Sequence, residues 1–124
     1  MQLNKVRVSV KADNYLRQMK ARTGLTANLL SRIGFCLSLQ DPTIPDPNAY
    51  DDESIREFNR YTLTGQWDIL FVALLRQRCY QDGLRIPEDL DEQFRAHLNR
   101  GIILLFQRMK YISDLSRLVE EVHR

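Results

Sequence analysis

VRVSVKADNYLRQMKARTGLTANLLSRIGFCLSL, residues 6–39, is the stretch that settles the fold class. Val6, Val8 and Val10 alternate with Arg7, Ser9 and Lys11, the period of two of a half-buried strand with one apolar and one basic face. A lone strand leaves its backbone donors and acceptors unpaired, so this one must pair with another copy or lie against helices. Pairing between subunits is the simpler of the two. With Asp13 as N-cap, the period then becomes helical, placing Leu16, Met19 and Thr23 on one side and Asn14, Arg17 and Lys20 near the opposite one. Gly24 followed by apolar Leu25 stops this helix, and Thr26 is placed to cap a second that carries Leu29, Leu30, Ile33, Cys36 and Leu37.

Beyond this unit, residues 40–51 (QDPTIPDPNAYD) hold three of the four prolines and form a connector that no helix or central strand can cross. Asp51 or Ser54 is expected to cap a helix containing Ile55, Phe58 and Tyr61, which Gly65 ends. Eight of the nine residues from Trp67 to Leu75 are apolar. Gly83 stops that helix, and Pro87 suits the first turn of the next, whose apolar pattern runs through Leu90, Phe94, Leu98 and Ile102 to Phe106 towards Met109. Ser113 or Asp114 is expected to cap a last amphipathic helix through Leu115, Leu118, Val119 and Val122. The stretches 67–75 and 102–106 are apolar on more sides than a small bundle hides, so they form a central hairpin or face another subunit.

The expected fold is therefore mainly α: a small helical bundle with a short N-terminal β-strand followed by a helix-turn-helix. At 124 residues, 44% hydrophobic and 27% charged, the chain reads as one domain, with a basic strand-helix-helix over 1–40, a Pro-rich connector over 41–51 and a helical bundle over 52–124. A core of this size needs neither disulfide nor metal. Cys36 and Cys79 lie in apolar helical stretches outside any CxxC spacing and read as small core residues of a reduced, cytoplasmic protein. The N-terminal alternation is unlike a signal peptide, and no segment has the ~20 apolar residues of a membrane span.

The net charge of +2 hides an asymmetry. Residues 1–40 carry Lys5, Arg7, Lys11, Arg17, Lys20, Arg22 and Arg32 against Asp13 alone, whereas residues 41–57 carry six carboxylates against Arg56 alone. A basic segment at one end of a balanced domain points to a polyanion-binding face. Arg95, Arg100, Arg108 and Lys110 offer a second basic surface, or a solvated bundle face.

Catalytic candidates are few. His97 reads as an ordinary helix-surface imidazole and His123 as part of a frayed end. Asp51, Asp52, Glu53 and Glu57 offer hard ligands for a divalent metal in a DNA-nicking enzyme, but acidic residues at a helix start also simply complement its dipole. GxxxxGKS/T, GxGxxG and HExxH are all absent. Neither a catalytic set nor a cofactor is expected.

Residues 6–39 resemble the ribbon-helix-helix DNA-binding proteins, a likeness under which Lys5, Arg7 and Ser9 face bases and Thr26 to Asn28 anchor a phosphate. A transcriptional repressor is one function this implies. A wider resemblance rests on KARTGLTANLLSRIGFCLSL (20–39), EFNRYTLTGQWDILFVALLRQR (57–78) and QFRAHLNRGIILL (93–105), which are similar to the DndE family of DNA sulfur modification proteins over nearly the whole chain. The chain departs from that family's pattern at Ala27, where Pro is common, and at Ser31, where Cys is common. This resemblance implies a small helical protein of the bacterial DNA phosphorothioation machinery. It implies a homotetramer that binds double-stranded DNA with a preference for nicks and works beside a cysteine desulfurase and other modification proteins. The residues expected to touch DNA are Lys5, Arg7, Lys11, Arg17, Lys20, Arg22, Thr26, Asn28 and Arg32.

Overall fold

The structure, a computed structural model, describes the backbone of residues 1–122 and the side chains of residues 1–110. Element order is β1 (Lys5–Arg7), α1 (Val10–Thr23), α2 (Ala27–Gln40), β2 (Glu57–Asn59), α3 (Arg60–Thr64), α4 (Asp68–Gln81) and α5 (Leu90–Val122), with short 3-10 turns at Pro47–Ala49 and Gly65–Trp67. The mainly helical fold with a short N-terminal strand is as expected.

The strand's partner is not. β1 pairs antiparallel with β2 of the same chain, Val6 opposite Phe58 and Arg7 opposite Glu57. Residues 57–59 are thus extended where a helix was expected, and the helix that follows begins at Arg60, capped by the Asn59 side chain. Val6 and Phe58 are both buried, so the two short strands close one edge of the core and satisfy each other without a second subunit. Ser9, not Asp13, caps α1: its hydroxyl accepts from the Ala12 N–H at 3.1 Å, which starts the helix four residues earlier than the sequence suggests. Gly24 stops α1 in the left-handed region (φ 73°), and its N–H donates to the Lys20 carbonyl. The Thr26 hydroxyl caps α2 by accepting from the Leu29 N–H at 3.2 Å.

Pro87 lies in a turn behind a cis Ile86–Pro87 bond and α5 begins three residues later. α5 then runs without interruption through Ser113 and Asp114, so the separate last helix does not exist. Its 33 residues span about 50 Å and form the spine on which α1 and α2 lie. Leu16, Met19, Leu30, Phe35, Phe94, Leu98 and Ile102 fill the space between the three helices. The side chains of Leu115, Leu118, Val119 and Val122, and His123, lie outside the described residues.

α2 and α5 cross almost backbone to backbone at Gly34 and Gly101: a Cβ on Gly34 would lie 2.7 Å from the Gly101 carbonyl carbon. A polar seam runs beside the crossing. His97 is fully buried rather than on the helix surface, with Nδ1 2.8 Å from the Ser38 hydroxyl. Arg100 Nε also donates to that hydroxyl, and its other nitrogens reach the Ser38 and Thr43 carbonyls. Arg95 donates to the carbonyls of Arg7, Tyr50 and Asp51, and Arg78 to those of Leu39 and Thr43. Arg95 and Arg100 are therefore clamps on the Pro-rich connector, whose carbonyls have no helical partners, and not a solvated face. Asn99 completes the seam, accepting from the Ser9 N–H at 2.8 Å.

Two outcomes are expected. Gly34→Ala should destabilise the fold by about 1–3 kcal/mol or more, read as a lower urea midpoint, because backbone on both sides of the crossing has nowhere to go. Burial above all, with Arg100 and Arg78 next, holds the His97 imidazole down to about 3. The unfolded chain takes up that proton near 6.5, so the stability this group contributes is whole above that pH and is lost as pH falls towards 3. Melting temperature should fall between pH 6.5 and 4, and His97→Gln should flatten that fall.

Candidate nucleic-acid interface

The basic N-terminal segment does not form one continuous face. On β1, Lys5 and Arg7 both turn to Glu57, Arg7 at 2.8 Å and Lys5 at 3.9 Å, and Arg7 also donates to the Ser54 carbonyl. β2 thus brings a carboxylate directly opposite the strand's basic side. Ser9 is buried as the cap of α1 and offers nothing to a base.

On α1 the cations divide by helical position. Arg17 pairs with Asp13 at 2.9 Å, and Asp13, itself buried, also receives Arg56 Nε at 2.6 Å. Lys11, Lys20 and Arg22 are exposed and have no carboxylate within ion-pair distance among the described residues. Lys11 and Arg22 flank a pair of aromatic rings: Lys11 Nζ lies 5.8 Å from the centre of the Tyr15 ring and Arg22 Cζ 5.8 Å from that of Phe106. α2 contributes less than expected. Thr26 and Asn28 stand at its start, Thr26 exposed and Asn28 half-buried, but Arg32 turns inward, donating from Nε to the Leu63 carbonyl at 2.5 Å and from Nη2 to that of Thr62 at 3.4 Å. Gly65 makes room for it, since a Cβ there would sit 2.9 Å from Arg32 Nη2. The interface candidates left without a carboxylate are Lys11, Lys20 and Arg22; Lys11 and Arg22 share one stripe of α1, while Lys20 lies on the opposite side of the helix, nearer the partly neutralised Arg17.

The carboxylates considered for a metal are engaged or dispersed. Asp51 Oδ1 accepts from the backbone N–H groups of Glu53 and Val10, both at 3.1 Å, and those bonds hold its carboxyl below the usual range. Glu57 serves Lys5 and Arg7, while Asp52 and Glu53 are exposed. Among the described residues no group of three or more His, Cys, Asp or Glu is placed to hold a metal ion. Burial pushes the Cys79 thiol up to about 11, with Asp82 and Asp89 adding to the shift, and raises that of half-buried Cys36. Both are poor thiolates. A recess of about 480 Å³ between Leu37, Gln40, Asp41 and Pro42 on one side and Leu104, Gln107 and Arg108 on the other brings one carboxylate and one guanidinium together without a histidine or cysteine.

The two strongly apolar segments have different fates. Within 102–106, Ile102 and Leu105 are buried against α2 and α1. α4 instead buries Phe71, Leu75 and Cys79 and leaves Leu70, Leu74 and, at 86% exposure, Ile69 in solvent, with Trp67 half exposed just before them. Among the described residues no helix is long and apolar enough to cross a membrane.

The family model described as DNA sulphur modification protein DndE matches residues 5–113. Among solved structures, the fold is similar to the crystal structure of DndE from Escherichia coli B7A, involved in DNA phosphorothioation modification. The TM-score is 0.69 at 21% identity, over 85% of this chain and 98% of that one. A glycine-to-lysine double mutant of DndE involved in DNA phosphorothioation is similar with a TM-score of 0.67 at 20% identity, over 85% of this chain and 99% of that one. No curated protein sequence matches the chain.

The position of Arg32 separates scaffold from surface. Arg32→Met should cost about 1.5–3 kcal/mol of unfolding free energy, because it strips charged donors from α3 carbonyls. Lys20→Met, on the open side of α1, should stay within about 0.5 kcal/mol. Urea unfolding of the two variants makes the comparison.

Proposed function

The chain belongs to the DndE family of DNA sulphur modification proteins, and we propose that it serves DNA phosphorothioation as a non-catalytic DNA-binding component. The observation that carries the DNA-binding part is the set of cations on α1, Lys11, Lys20 and Arg22, which are exposed and lack carboxylate partners among the described residues. Charge of that kind meets phosphates rather than base edges, so binding is to the backbone and weak in sequence preference. Arg17, Lys5 and Arg7 add to it from positions already shared with Asp13 and Glu57, and Thr26 and Asn28 present the start of α2, whose free N–H groups and dipole suit a phosphate. Arg32 contributes through the scaffold. A preference for nicked duplex accords with this mode, since a nick alters the stiffness of the backbone and leaves base identity untouched.

The exposed apolar side of α4, from Trp67 through Ile69 and Leu70 to Leu74, supports association of chains into a homotetramer, because patches of that kind are uncommon on monomers. The structural engagement of Asp51 and Glu57 favours binding over metal-dependent nicking. Its place is then the cytoplasm, beside a cysteine desulfurase and other modification proteins that supply the sulfur chemistry.

Native mass together with fluorescence anisotropy on intact and nicked duplex of one sequence, titrated with salt and without added metal, tests the reading. The expected result is a tetramer that prefers the nick, with log affinity falling by about 0.9 per phosphate neutralised for each tenfold rise in salt. Joint substitution of Lys11, Lys20 and Arg22 by Gln should reduce that slope by roughly two to three. A salt-insensitive affinity, or none at low salt, overturns it in favour of a protein-interaction scaffold.

A further inference from the structure

Tyr15 of α1 and Phe106 of α5 stack face to face, with ring centres 3.8 Å apart and planes 5° from parallel. A pair this parallel leaves each ring one outer face, and a cation lies over each: Lys11 over Tyr15 and Arg22 over Phe106. Lys11, Tyr15 and Arg22 are spaced four and seven residues apart, one stripe of α1, and Phe106 enters from α5 to fill the gap in it. Both rings are half-buried at the α1–α5 seam, with exposed Lys110 one turn beyond Phe106.

A column of two π-faces ended by two cations selects its partner by chemistry. An apolar protein surface laid on it would strip water from Lys11 and Arg22 and return nothing, whereas a group that is both flat and anionic satisfies rings and cations together. An unpaired nucleotide is such a group; a base within an intact duplex is not, because both of its faces are already stacked. Neither Lys11 nor Arg22 has a carboxylate in reach among the described residues, but the planar Arg22 guanidinium suits a ring face, whereas the Lys11 ammonium is a compact charge on a flexible stem, so Lys11 is the end that can yield.

We propose that Tyr15 is a stacking platform for one unpaired DNA base, which takes the outer face of the ring now covered by the Lys11 ammonium while Lys11 moves to the flanking phosphate. This rests on the DNA-binding reading and names a specificity determinant within it.

Anisotropy on three probes separates the two: an intact duplex, the same duplex with a one-nucleotide unpaired flap, and that flap with an abasic residue in place of its base. The full chain should bind the flap with its base on the order of tenfold more tightly than the abasic flap, within the range for one base on one aromatic ring. Tyr15→Leu should erase that ratio and leave affinity for intact duplex within about twofold, whereas Tyr15→Phe should keep it. With 2-aminopurine as the unpaired base, fluorescence of the unsubstituted protein's complex should fall below that of the free flap, a readout that does not depend on any variant folding. Equal affinity for the two flaps, equal loss on every probe in Tyr15→Leu, or a rise in 2-aminopurine emission overturns the stacking assignment while tight binding to intact duplex keeps the DNA reading. Failure to bind any of the three probes at low salt overturns both.

Discussion

Everything in this fold depends on how close α2 can come to α5. Two glycines face each other where the helices cross, and the absence of both Cβ atoms lets backbone meet backbone. That approach draws Leu30, Phe35, Phe94, Leu98 and Ile102 into one core, and it brings Ser38 within reach of both His97 and Arg100. A wider crossing would leave the imidazole and the hydroxyl as buried polar groups without partners, at a cost of the same order as the packing lost. The polar seam and the apolar core are thus two consequences of a single steric fact.

The second organising feature is the use of guanidinium groups as mortar. Arg32, Arg60, Arg78, Arg95 and Arg100 each donate to main-chain carbonyls in segments that lack regular partners: the 39–51 connector, the α3 turn and the N-terminal residues before β1. Arg is suited to this, since one planar fork reaches two or three acceptors in fixed directions and stays charged when half-buried. Arg60 shows the arrangement most fully. It binds the Leu3 carbonyl and the Tyr61 hydroxyl while pairing with Asp68, and the hydrogen bonds from Arg60 and Thr64 outweigh burial and keep that carboxyl below its ordinary range. A large share of the positive charge counted in the chain is therefore internal. The exposed cations without an ion pair among the described residues are divided between α1, where Lys11 and Arg22 lie at the Tyr15–Phe106 stack, and Arg76, Arg108 and Lys110 on α4 and α5, while α4 leaves an apolar side in solvent.

The stop at Gly24 and the cap at Thr26 were legible from the chain because their causes are local, whereas the caps at Ser9 and Asn59 were not. Gly24 needs a left-handed backbone, Thr26 offers its oxygen to an N–H three residues on, and prolines at 42, 45 and 47 forbid a helix whatever surrounds them. The same holds for the helical character of the fold and for the concentration of lysine and arginine ahead of residue 40. Three blocks of residues sufficed to place the chain beside a DNA sulfur modification family, since family likeness resides in residue order.

Long-range pairing is of another kind, and there local pattern misled. An alternating strand states that it needs a partner but not which one, and Glu57–Asn59, too short and too charged to announce itself, supplied it from fifty residues away. Arg32 and Arg7 carry the same charge in the sequence, and only the arrival of the Leu63 carbonyl or the Glu57 carboxylate makes one a scaffold residue and the other a neutralised edge. His97, read as a surface imidazole, is enclosed because α2 lies on that side of α5. Local conformational preference is a property of neighbouring residues and is written in their order, whereas burial and charge neutralisation depend on groups distant in the chain and come into being when the helices meet.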